Sequence, residues 1–295
     1  MTQPTESTTP GLRFRGTKII NIYGLTWAMP MLIWQLVFFV FPLLFLVALT
    51  FWLVKNYRMV PGFDTVNWVK MYTRGYFWDA YFRTFGLALL STAITSALAF
   101  PCSYALAFKV SPTVRRWAIF LLIIPFFTSY LVRAYSWQVF LATEGIINGA
   151  LSFVGLGPYV MLNTMFGTIV GYLTLCLPLV VVLQLISLAN VDKNLVEAAH
   201  NLGCGRLKTI ILVVVPLAKI GLIIAAAFCF ILSFGDFVSP YYLGGSKPPT
   251  LSILIVDTTK SGQQWPRAAV VAVTMIVTLL AVAFTAVSLA YRRRA

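Results

Sequence analysis

Apolar residues run along this chain in long blocks separated by short polar segments. A helix crossing the hydrocarbon core of a bilayer needs about 20 mainly apolar residues. Six stretches meet that length: Trp27–Val54, Thr84–Phe108, Trp117–Val132 with a continuation, Met165–Ala189, Ile211–Gly235 and Ala268–Tyr291. The pattern predicts an all-α polytopic membrane protein with six transmembrane helices. The third block is short and passes through Arg133 into "AYSWQVFLA", which fits a tilted helix or a broken one equally well. The first block is too long for a signal peptide, and no small-x-small cleavage site follows it. The expected layout is an N-terminal tail over 1–26, a membrane domain over 27–291 containing a polar loop at 190–212, and a C-terminal tail over 292–295.

Small residues four apart let helix backbones approach closely in lipid. Ser91, Thr95 and Ala99 have that spacing in the second block, and Gly167 and Gly171 have it in the fourth. The segments Lys55–Arg83, Arg133–Thr164 and Asp236–Arg267 are rich in Trp, Tyr, Gly and Pro, and are expected as short helices at a membrane interface. The 190–212 loop reads differently. Asp192 is placed to cap a helix on which Leu195, Ala198, Ala199 and Leu202 recur at i, i+3, i+4 and i+7. Glu197 lies in its first turns, where negative charge suits the helix dipole. Gly203 and Gly205 are expected to supply the positive φ that stops it, and a second helix from Arg206 leads to Pro216. An apolar stripe with alanines at its centre suits a shallow groove on a partner, the alternative being an amphipathic helix resting on lipid.

Charge sets the orientation. Of 295 residues, 60% are hydrophobic and 10% charged, and the net charge of +14 sits in short clusters between apolar blocks. This is the signature of headgroup contacts and excludes a nucleic-acid reading. With the N-terminus inside, twelve basic residues (Arg13, Arg15, Lys18, Lys109, Arg115, Arg116, Lys193, Arg206, Lys208 and Arg292–Arg294) face the cytoplasm, against nine outside, with Lys219 unassigned. Both termini and the 190–212 loop are therefore expected on the cytoplasmic side.

Candidate chemistry is sparse. Cys102, Cys176, Cys204 and Cys229 stand singly, with no CxxC and no ligand spacing to His200, so they read as small apolar residues and no metal site is expected. "GCGRLKT" and "GGSKPPT" have the wrong spacing for a phosphate-binding loop, and one histidine gives acid–base catalysis little to work with. Carboxylates fall at or beyond block ends: Asp64, Asp79, Glu144, Asp236 and Asp257 outside, and Glu6, Asp192 and Glu197 inside. A proton-coupled carrier or channel would keep them deeper. No enzyme is indicated.

Glu197, Ala198, Ala199, Gly203 and Pro216 resemble the EAA loop of ABC importer permeases, with Val213 and Val215 departing conservatively from its usual ending and His200 at a variable position. Pro125–Leu151, Phe234–Lys247 and Gln263–Val270 further resemble the spermidine/putrescine-type subfamily. The resemblance implies a type I permease core in a bacterial inner membrane, with Glu197, Ala198, Ala199, Leu202, Gly203 and Pro216 coupling to an ATPase. It implies four kinds of partner: the lipid bilayer, a second and different permease subunit, two cytoplasmic ATPases carrying ATP and Mg, and an extracytoplasmic solute-binding protein. This chain would hold no cofactor of its own. A small amine such as putrescine or spermidine is the implied substrate, with 4-aminobutyrate or opine-like solutes as alternatives. Tyr130, Arg133, Tyr135, Trp137, Glu144, Asp236 and Tyr241 are the candidate pathway residues, carboxylates pairing ammonium groups and rings facing cationic carbons.

Overall fold

A computed structural model describes residues 22–292. Glu6, Arg13, Arg15, Lys18, Arg293 and Arg294 lie outside the described residues. The chain divides into two units, 1–46 and 47–295. In the first, α1 (Ile22–Gln35) passes through a π-helical turn at Leu36–Val40 into α2 (Phe41–Leu49), whose end belongs to the second unit. The π turn has a cause in the sequence. Pro42 follows it, and a proline ring clashes with the carbonyl four residues back in a regular helix. One extra residue in the turn, with Phe41 N–H donating to the Leu36 carbonyl, relieves the clash.

The first span ends at Leu49 and not at Val54, because Leu53–Lys55 (β1) pairs with Arg58–Val60 (β2) in an antiparallel hairpin. Asn56 and Tyr57, both at positive φ, close its two-residue turn. The short helix α3 (Val66–Tyr72) follows, then α4 (Gly75–Phe108). The second span thus starts nine residues before Thr84 and includes Arg83. At 34 residues it is about 50 Å long, well beyond the hydrocarbon thickness. Its extra turns are held by aromatic packing: Phe77, Trp78 and Tyr81 stack among themselves and against Tyr72 of α3.

The third span is the broken alternative. Helix α5 (Pro112–Ile123) tightens into a 3-10 turn at Ile124–Phe127, and α6 (Tyr130–Leu141) and α7 (Ile146–Ser152) leave it at 95°. Pro125 cannot donate to the turn before it, and Thr128 adopts an extended backbone.

Helix α8 (Met165–Ala189) matches the fourth block. The polar loop contains α9 (Lys193–Asn201) and α10 (Arg206–Thr209). A second π segment, Ile210–Val214, precedes Pro216 and leads into α11 (Val215–Gly235) without a break. Then come α12 (Val238–Tyr242), α13 (Leu251–Lys260) and α14 (Trp265–Tyr291). Helix α13 buries one face against its neighbours. Leu251, Ile253 and Leu254 are buried, and α13 packs on α14 and α4.

Among the described residues, five helices are long and apolar enough to cross a membrane, six if the bent pair counts as one span. The core is built from α4, α8 and α11. Ala99, Cys176, Val180, Leu185, Ala218 and Cys229 meet there, all buried. Polar atoms tie the three helices together. Ser103 Oγ donates to the Val181 carbonyl at 3.2 Å, Gln184 Nε2 to Ser96 O at 3.3 Å, and Ser187 Oγ to Ala218 O at 2.8 Å. The Ser91–Thr95–Ala99 face is fully buried, as its small residues require. The Gly167/Gly171 pair receives a different neighbour. A Cβ on Gly171 would lie 2.5 Å from Ser239 Oγ, and one on Gly167 2.5 Å from Leu243 O, so these glycines seat α12 and the turn after it.

Candidate functional site

The polar loop is assembled from local rules. Asp192 Oδ1 accepts from Asn194 N at 2.9 Å and caps α9. At the other end Gly203, at φ +81°, closes a Schellman motif: its N–H donates to His200 O at 2.9 Å, and Cys204 N donates to Ala199 O at 3.0 Å. Gly205 does not share that role. Its φ is −65°, and it forms the N-cap of α10. The expected stripe also divides. Ala199 is buried in the chain's own fold and Val196 is packed against the α4–α8–α11 core, whereas Leu195, Ala198 and Leu202 face outward. Leu202 is 86% exposed. Leu207, absent from the sequence expectation, extends the exposed apolar set at 75%. It was discoverable as an apolar residue between Arg206 and Lys208. Glu197 and His200 are exposed beside this row. Pro216 follows the π segment that joins the loop to α11, with Val215 N–H donating to Ile210 O.

At the opposite end of the bundle, α6 and α12 meet. The Asp236 carboxylate is 9% exposed and accepts three hydrogen bonds: Oδ1 from Val238 N at 2.9 Å, and Oδ2 from Ser239 N at 3.0 Å and from Tyr130 OH at 2.7 Å. Tyr130 OH also pairs with Ser239 Oγ. Ser252 Oγ, from α13, donates to the Asp236 carbonyl at 2.9 Å. The Arg133 guanidinium lies over the Tyr130 ring, 5.6 Å from its centroid, and Nη1 donates to Thr174 O at 3.1 Å. Gln138 Nε2 donates to Tyr242 O at 2.6 Å, and the rings of Tyr135 and Tyr242 lie 4.9 Å apart. Tyr241 packs between Phe237 and Tyr242.

Tyr130, Arg133 and Asp236 therefore form one network, and Tyr135 and Tyr241 meet around Tyr242 in a second cluster between the same two helices. Trp137 turns to a cavity of about 360 Å³ that Arg133 also lines. Glu144 stands apart. It is exposed at the rim of a cavity of about 460 Å³ with Thr143, Asn148 and Ser152. Sequence reasoning missed Thr174, Gln138, Ser239 and Ser252. Thr174 carried a signal, since Pro178 four residues later removes the N–H that its carbonyl would otherwise accept.

Residues 96–295 match the family of binding-protein-dependent transport system inner membrane components. The chain belongs to that family: it is a permease subunit of an ABC importer and a multi-pass inner-membrane protein. It is 26% identical over 270 residues to the spermidine/putrescine transport system permease protein PotB of Salmonella typhimurium (strain SL1344), covering 90% of each chain. It is 28% identical over 249 residues to the PotB protein of Escherichia coli (strain K12), covering 83% of this chain and 90% of that one. Its fold matches a bacterial ABC transporter involved in the import of the acidic polysaccharide alginate, with a TM-score of 0.71, 19% identity, and coverage of 94% of this chain and 99% of the other.

Proposed function

We propose that this permease forms half of the pathway for a small amine-bearing solute of the spermidine/putrescine type, released to it by a solute-binding protein. Its partner in the membrane is a second, different permease subunit. The 190–212 loop and both termini face the cytoplasm, where two ATPase subunits bind ATP and Mg. The observation that carries this reading is the exposed row of Leu195, Ala198 and Leu202, on a helix capped at both ends and tied to α11. Large apolar side chains at such exposure on a rigid polar loop mark a surface that another protein covers.

Alternating access follows from this attachment. Closure of the ATPase pair displaces α9, and the continuous helix from Arg206 to Gly235 passes the movement to the opposite end. The amine reading is supported by likeness to the two PotB proteins, whose name carries spermidine and putrescine. Of the two carboxylates singled out, Asp236 is occupied by three donors, whereas Glu144 is exposed and open to an ammonium group.

The test is reconstitution with the second permease, the ATPase and the binding protein. Putrescine uptake should need ATP and survive dissipation of the proton gradient. Gly203→Asp places a side chain on a left-handed backbone beside the docking row, and uptake should fall by about tenfold or more with the complex still inserted. Wild-type uptake driven by a proton gradient without ATP would overturn the reading.

A further inference from the structure

Arg133 is a cation held deep in a spanning region. Its acceptor, Thr174 O, lies nine residues into α8, about 14 Å from that helix's first turn. An intramembrane charge is costly unless compensated. Three observations account for it. Pro178 has no N–H to offer Thr174 O, and Arg133 Nη1 takes that place. Arg133 Nε has no acceptor, so the guanidinium's other contact is the face of Tyr130. The hydroxyl of the same Tyr130 donates to Asp236. A phenol thus stands between a cation and an anion, attracting the first through its ring and binding the second through its hydroxyl.

This bridged pair joins elements with no covalent reason to stay together. Arg133 and Tyr130 belong to α6, the arm of the broken span. Thr174 belongs to the kinked α8, and Asp236 to the junction of α11 and α12. Gln138 to Tyr242 O adds a second tie between α6 and α12. Neither tie involves the loop at the other end of the bundle. The packed interface between α6 and α12, with the Tyr135 and Tyr242 rings beside these two ties, has discrete arrangements, since its contacts are either made or broken.

We infer that Arg133, Tyr130 and Asp236 form a latch that keeps α6 closed on α12, and that this latch parts when the end opposite the coupling loop opens. They are positioning residues for transport and bind no solute themselves in this role. The inference rests on the proposed transport function. Because coupling between sites is reciprocal, weakening the latch must shift the coupling loop toward its ATPase-closed position without help from the binding protein.

The experiment uses the reconstituted complex and compares ATP hydrolysis with and without binding protein. Tyr130→Phe keeps the ring under Arg133 and removes the hydroxyl. Basal hydrolysis should rise about tenfold, the shift expected from one hydrogen bond to a carboxylate, with the ratio of stimulated to basal rate falling to match. Arg133→Gln should act in the same direction, and combining it with Tyr130→Phe should add little. Arg133→Lys, which keeps the charge and a donor but loses the planar group over the Tyr130 ring, should fall between wild type and Arg133→Gln. If Tyr130→Phe fails to assemble, Gln138→Met reads the same equilibrium at the second tie. Unchanged basal hydrolysis overturns the latch. So does a proportional fall of both rates at equal complex content, which is the result of a brace and not of a latch. Failure of the wild-type complex to couple hydrolysis to the binding protein would instead overturn the transport function itself.

Discussion

Asp236 separates geometry from residue type. In the sequence it and Glu144 are equivalent, two acids near block ends beside aromatic residues. In the structure one is a buried cap and the other is free. Asparagine at 236 would keep one oxygen but turn an amide N–H₂ toward a site where Val238 N, Ser239 N and Tyr130 OH all donate. Two donors would then face each other in a buried place, at a cost of about 2 kcal/mol. Asp236→Asn should lower the thermal stability of the purified complex, whereas Glu144→Gln should leave it unchanged and, if Glu144 meets the amine, weaken uptake. Equal melting of Asp236→Asn and wild type would show that the cap is dispensable. The cap was legible in "GDFVSP", as were Asp192 before α9 and the left-handed Gly203, because each is decided by neighbours within a few positions. Gly205 was misread because two glycines close together look alike until hydrogen bonds distribute their roles. Tyr130 as the partner of Asp236, 106 positions away, leaves no local trace.

At the scale of elements, hydropathy located the spanning blocks and the ends of several, Met165–Ala189 at both, but not the start of α4 or the end of the first span. It placed the start of α4 at Thr84 because residues 75–83 are too polar to count as membrane. Packing of Phe77, Trp78 and Tyr81 keeps them helical regardless, since tertiary contacts outweigh solubility in fixing helix length. The 95° break was one of two open readings, since a short apolar block running through Arg133 fits a tilted helix as well as a broken one. The Gly167/Gly171 spacing announced a close approach but not its partner, which is α12. Two glycine-to-alanine changes distinguish these effects. Gly171→Ala drives a methyl group into Ser239 and should destabilise by about 1–3 kcal/mol, displacing the helix that carries Tyr241 and Tyr242. Gly86→Ala, in α4 where nothing lies within 4 Å, should be neutral or stabilise by about 1 kcal/mol. Thermal unfolding of the two purified variants checks both signs.

For the molecule as a whole, sidedness decides whether the polar loop can meet an ATPase. Cys204 is partly exposed in the polar loop, and Cys176 and Cys229 are buried. With Cys102, Cys176 and Cys229 replaced by alanine, a membrane-impermeant maleimide should label Cys204 in inside-out vesicles only. Labelling in intact cells would place the loop on the wrong side for an ATPase. The loop leaves α8 at Asn190 and continues into the fifth span through a helix that contains the π segment at Ile210–Val214. Such a segment is one residue longer than the α-helix it interrupts, and each helical residue turns the chain by about 100°. Removing Val213 alone would leave every residue from Pro216 onward in its seat, yet turn Leu207 and the rest of α10 about 100° around the axis of the fifth span, against α9, which Val196 and Ala199 hold to the core. The surplus residue works like the key on a shaft. It fixes the angle at which the cytoplasmic partner's motion engages the bundle, so the length of that short segment is a matter of timing as much as of structure.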